Sequence, residues 1–70
     1  MSQSKKFFLN GQTYYSTENL TLFKLVSYFN YNDSLLVLEH NNLICDKTKW
    51  KNILVKNHDK IEIVTIVGGG

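Results

Sequence analysis

The sequence predicts an α+β protein in which a mixed sheet of four to five strands packs on one main helix. Three observations carry this. Runs of strand length alternate with turn signals, in the order strand, strand, helix, strand, short strand, strand. A single segment, around residues 22–29, spaces its apolar side chains as a helix does. The first and last strands are the longest and most apolar, which places them mid-sheet, with the helix covering one face.

Each element has its own signature. Lys6-Phe7-Phe8-Leu9 reads as a strand, and Asn10-Gly11 is the strongest short hairpin signal, because both turn positions must accept positive φ. Thr13-Tyr14-Tyr15-Ser16 has the β-branched and aromatic content of the returning strand. Asn19 or Thr21 caps the helix by accepting a bond from an otherwise orphan N–H. Leu22, Leu25, Val26 and Phe29 then fall on one helical face, and the loop chemistry of residues 30–34 ends the helix.

Leu35 to His40 is a short apolar run whose length favours a buried strand. Asn41-Asn42 turns the chain into a stub at Leu43-Ile44. Residues 45–52 read as a polar connector anchored by Trp50, and Ile53-Leu54-Val55 as a brief apolar touch. Asn57-His58-Asp59 is a third turn, and Lys60 to Val67 is the last strand, alternating Ile61, Ile63 and Thr65 with Glu62, Val64 and Ile66. If the last strand runs parallel to the first, the helix lies in a right-handed crossover between them, as in the β-grasp (ubiquitin-like) arrangement. The expected core is Phe7, Leu9, Leu22, Leu25, Val26, Phe29, Val37, Ile61 and Ile63.

Composition bounds the function. At 70 residues the chain is one small domain, expected over residues 1–67. A domain of this size buries only about 60% of its unfolded surface, too little for a buried catalytic machine plus a substrate cavity. A net charge of +2 with no arginine argues against nucleic acid. Lys47, Lys49 and Lys51, with Lys56 and Lys60 nearby, read as a solvated edge. No apolar run reaches the roughly 18 residues of a membrane span. The lone Cys45 forbids an internal disulfide and suits a reducing compartment. Absence of proline, alanine and arginine, beside abundant Asn, Lys and Ile, suggests an AT-rich genome such as that of an organelle.

Candidate chemistry is sparse. Cys45 reads as a small buried hydrophobe, His58 as a solvated turn residue, and His40 has no partner at zinc-site spacing, so no catalytic, metal or cofactor residue is expected. Val64 and Ile66 should face away from the helix, beside Phe8 on the neighbouring strand, as an apolar docking patch. Gly68-Gly69-Gly70 follows the last strand directly. Such a tail lacks packing side chains, is expected to be flexible, and fits a narrow channel that would bring the Gly70 carboxylate to a partner's active site. Adenylation would make that carboxylate reactive.

These features resemble the ubiquitin-like sulfur carriers of the MoaD/ThiS type, and most of all the ThiS family of thiamine biosynthesis. The resemblance spans Phe7 to Gly70: Phe8-Leu9-Asn10-Gly11-Gln12, Leu20-Thr21 and Leu25, Val37 to Asn41, Trp50, and Asp59-x-Ile61-Glu62-Ile63-Val64 leading to Ile66-Val67-Gly68-Gly69-Gly70. It departs at Cys45-Asp46-Lys47, where the family often has Val-Pro-Arg, and at Asn42 and His58, where glycine is common.

The resemblance implies a sulfur-carrying co-substrate without an active site of its own. A ThiF-type adenylyltransferase would consume ATP to adenylate Gly70, with Gly68 and Gly69 threading its channel. A cysteine desulfurase or persulfide protein would supply sulfur, and the thiazole synthase ThiG would take it from the Gly70 thiocarboxylate. The setting would be the cytoplasm, or the plastid stroma if the gene is organelle-encoded. The rival readings are another β-grasp protein ending in Gly-Gly, either a molybdopterin-type sulfur donor or a protein modifier, and a plain interaction module.

Overall fold

The computed structural model describes residues 4–29 and 36–65. Five strands form one mixed sheet: β1 (Lys5–Leu9), β2 (Gln12–Ser16), β3 (Leu36–His40), β4 (Leu43–Cys45) and β5 (Lys60–Thr65). Their spatial order is β2-β1-β5-β3-β4. The helix α1 (Leu22–Tyr28) packs on one face. β5 lies in the centre, parallel to β1 and antiparallel to β3, so first and last strands are neighbours as expected.

Local chemistry explains each boundary. Asn10 and Gly11 take φ of 50° and 81°, the doubly positive pair of a tight hairpin between β1 and β2. Asn41 and Asn42 repeat this at 54° and 71° between β3 and β4. Thr21, not Asn19, caps α1, its side chain accepting from the Lys24 N–H at 3.1 Å. The expected loop at 30–34 and the last strand beyond Thr65 lie outside the described residues.

The polar connector is more ordered than its sequence suggests. Lys47–Asn52 forms a 3-10 helix, capped by Asp46 through a 3.2 Å bond from the Thr48 N–H. The Trp50 indole enters the core at 1% exposure, while the other residues of this helix stay exposed. Its N–H donates to the Cys45 carbonyl at 3.0 Å, so the one polar atom of the ring is satisfied. The segment after it returns to α1: Thr21 and Leu54 form a bridge, and the Leu22 N–H donates to Ile53.

The core contains Phe7, Leu9, Leu22, Leu25, Val26, Ile61 and Ile63, as the spacing predicts, together with Leu20, Leu38, Trp50 and Val55. Phe29 packs against it half-buried, edge-on to Tyr14 at 5.3 Å. Val37 is a correction. It is only half-buried and faces outward opposite Val64, while Leu38 lies opposite Ile63 and takes the core position. An unbroken apolar run has no alternation to reveal its parity, and a shift of one residue exchanges the faces.

Candidate functional site

The last strand carries the expected docking residue Val64 and leads in sequence to the glycine run. Ile66, Gly68, Gly69 and Gly70 lie outside the described residues. What the structure does describe is the outer sheet face, the one opposite α1, and the seam that holds β5.

Register organises that face. Phe8 pairs with Lys60 and Leu9 with Ile61, so Leu9 and Ile61 point into the core while Phe8 and Lys60 point out. Val64 is four residues past Lys60, about 13 Å further along the strand. The expectation that Phe8 sits beside Val64 is therefore corrected. Val64, 54% exposed, has Val37 as its cross-strand neighbour, and Phe8 is half-buried with the Lys6 ammonium 5.5 Å from its ring centre.

Between these two apolar sites stands a row of like charges. Glu39 pairs directly with Glu62, and Glu62 meets Lys60 at 3.5 Å on the same strand. Ile44, opposite Glu39 on β4, is 76% exposed. The outer face thus has an aromatic and basic half around Lys6, Phe8 and Lys60, an acidic row, and an aliphatic end at Val37 and Val64. One residue of slip in either strand pair would scramble this pattern.

The polar side chains near β5 serve architecture. Asp59 is 6% exposed and accepts from His40 at 2.8 Å, from the Asn41 amide at 3.0 Å and from the Lys56 backbone N–H at 2.8 Å. Burial pushes its carboxyl up, but the bonds from His40, Asn41 and Lys56 outweigh that and hold it below the ordinary carboxylate value. This cluster ties the turn before β5 to the turn after β3. Sequence reasoning missed it, because the three partners are 19, 18 and 3 residues from Asp59 and no periodicity joins them. The signal available was the place of Asp59 at the head of the motif quoted for the resemblance.

Cys45 is half-buried against the core, and its thiol donates to the Asp46 carbonyl at 3.8 Å. Burial raises its pKa, with Lys49 opposing and Asp46 adding, so the thiol form dominates at neutral pH. His58 is exposed in its turn, and Lys47, Lys49, Lys51, Lys56 and Lys60 are likewise exposed. Among the described residues no group of three His, Cys, Asp or Glu side chains could hold a metal ion. An open groove of about 600 Å³ lies between β2 and α1. Phe7, Tyr14, Leu25 and Phe29 line it, with Glu18 its one acidic group. No nucleophile and base converge there.

A mixed sheet whose parallel central pair clasps one helix defines a β-grasp protein of the ubiquitin-like class. Within that class the chain belongs to the ThiS family, whose sequence model matches residues 7–70. That membership supports a sulfur-carrier role. The chain is 59% identical to a protein called ycf40 in Trieres chinensis, over 100% of this chain and 96% of the other. It is 32% identical to the ycf40 protein of Porphyra purpurea, over 89% and 87% of the two chains. Its fold matches the crystal structure of the thiamine biosynthesis protein ThiS from Geobacter metallireducens with a TM-score of 0.74, at 23% identity, over 93% of this chain and 99% of that one.

Proposed function

We propose that this protein carries sulfur for thiazole formation in thiamine biosynthesis, as the α-carbonyl thioacid of Gly70. The observation that supports this is the family match over residues 7–70, which takes in the whole glycine run. A carboxylate oxygen of Gly70 attacks the α-phosphorus of ATP on a ThiF-type adenylyltransferase, and pyrophosphate leaves. The terminal sulfur of a persulfide, supplied by a cysteine desulfurase or similar donor, attacks the acyl carbon and AMP leaves. A thiol then cleaves the S–S bond, releasing the Gly70 thiocarboxylate and a disulfide. Thiazole synthase takes the sulfur, and the carboxylate is regenerated.

In this scheme the chain is a recyclable co-substrate and its partners supply the catalysis. Gly68 and Gly69, without Cβ atoms, pass through the partner's channel. The outer face contributes docking through Phe8 and Val64, with Val37 completing the aliphatic end, and Ile66, two residues past Val64 in sequence, joins them in this proposal. We place the protein in the plastid stroma, or the cytoplasm. The plastid is supported by a composition without proline, alanine or arginine, which suits an AT-rich genome such as that of an organelle. The test is intact mass after incubation with ATP, the adenylyltransferase and a persulfide donor. A gain of about 16 Da, the difference between the atomic masses of sulfur and oxygen, is expected, and an unchanged mass refutes the proposal.

A further inference from the structure

We infer that Asn10 is a positioning residue for the strand that bears the tail: its side-chain amide oxygen replaces a main-chain carbonyl in the β1–β5 ladder. In a parallel pair, hydrogen bonds are evenly spaced and alternate residues of one strand bond the other. Here the Phe8 N–H donates to Asp59 O at 2.8 Å and the Asn10 N–H to Ile61 O at 2.9 Å. The next rung of such a ladder would run from the Ile63 N–H to the Asn10 carbonyl. Asn10, however, has left the extended conformation of the strand, with φ at 50°. The Ile63 N–H donates instead to Asn10 Oδ1, at 2.8 Å.

Asn10, one residue past the last registered pair of Leu9 with Ile61, thus holds β5 at two points, by its main-chain N–H at Ile61 and by its side chain at Ile63. Past Ile63, the described part of β5 pairs only with β3, through Val64 with Val37 and Thr65 with Leu36. Among the described residues, the Asn10 rung is therefore the last grip on β5 from the β1 side. Glycine would satisfy the turn equally well, and asparagine adds the acceptor. Resting on the sulfur-carrier reading, the consequence is that Asn10 fixes the register from which Gly70 reaches a partner.

Asn10→Gly keeps the positive φ and removes the acceptor, while Asn10→Asp keeps both. In amide hydrogen exchange on the free protein, Asn10→Gly should speed exchange at Ile63 roughly tenfold. The Leu22 amide, bonded to Ile53 elsewhere in the fold, should not change, and Asn10→Asp should restore the slow rate at Ile63. In pyrophosphate release by a ThiF-type adenylyltransferase with ATP, Asn10→Gly should lower kcat roughly tenfold or more, with a smaller effect on KM and rescue by Asn10→Asp. Unchanged exchange at Ile63 would overturn the rung, and faster exchange with unimpaired adenylation would overturn the positioning role. If the unaltered protein releases no pyrophosphate, the carrier reading and the tail consequence fall together, and the exchange comparison decides the rung alone.

Discussion

His40 Nε2 and Asp59 Oδ2 meet at 2.8 Å across 19 residues of sequence, joining the end of β3 to the residue that starts β5. Asp59 is nearly sealed from water and its two oxygens serve three donors, from His40, Asn41 and the Lys56 backbone. A carboxylate buried this way is stable only with its bonds intact. It fixes where the central strand begins, and hence the pairing of everything beyond.

Replacing Asp59 with Ala should therefore destabilise the fold by about 2–4 kcal/mol, since it removes the buried acceptor that three hydrogen bonds share. Urea unfolding followed by Trp50 fluorescence measures this. A loss under about 0.5 kcal/mol would mean the cluster relaxes around the gap.

The same carboxylate gives a pH signature. Its folded pKa lies below its ordinary value, so its stabilisation is present above the unfolded value of about 3.9 and disappears as pH falls through the lower, folded one. The stability gap between the unaltered protein and Asp59→Asn should shrink as pH falls below about 4. A gap that widens on acidification would reverse the assigned sign.

His58 holds φ at 71°, a left-handed conformation costly for a residue with a Cβ, and its side chain is exposed. His58→Gly should raise stability by about 0.5–1 kcal/mol, the relief of strain exceeding the added chain entropy. Thermal unfolding should show a higher midpoint. A lower one would show that the imidazole contributes more than the backbone strain costs.

On the outer face, Val64→Asp should weaken binding to the adenylyltransferase or the synthase by about 1–3 kcal/mol if the aliphatic end is a central contact. Folding should survive, because Val64 is half exposed and outside the core. Titration calorimetry with each partner decides it, and unchanged affinity for both removes Val64 from the docking surface.

Much of the fold was legible because its local signals agree. Asn10-Gly11 and Asn41-Asn42 can hardly be other than tight turns, Thr21 is a good cap, and Ile61 and Ile63 alternate with more exposed neighbours. Three things were hidden for physical reasons. Val37 and Leu38 sit in a run with no polar residue to mark the outer face, so only pairing with β5 assigns them. The lysines of Lys47–Asn52 conceal a 3-10 helix that exists to seat one indole. The bond from Ile63 to Asn10 spans 53 residues, and composition gives no hint of it. Phe8 and Val64 were rightly expected on one face, but the distance between them needed the register.

The central proposal, that sulfur rides on the backbone carboxylate of Gly70, is tested most directly by locating the added mass. The unaltered chain, a Gly70 deletion and Cys45→Ser would each be incubated with ATP, the adenylyltransferase and a persulfide donor, then weighed intact. Deletion places the carboxylate about 3.5 Å short of the adenylating site, far beyond what positioned chemistry tolerates. The Cys45 thiol is held protonated and half-buried, so its loss should not matter. The expected result is a gain of about 16 Da, the sulfur-for-oxygen mass difference, in the unaltered chain and in Cys45→Ser, with none in the deletion. A gain that survives deletion of Gly70, or disappears with Cys45, would place the sulfur on a side chain and contradict the proposal.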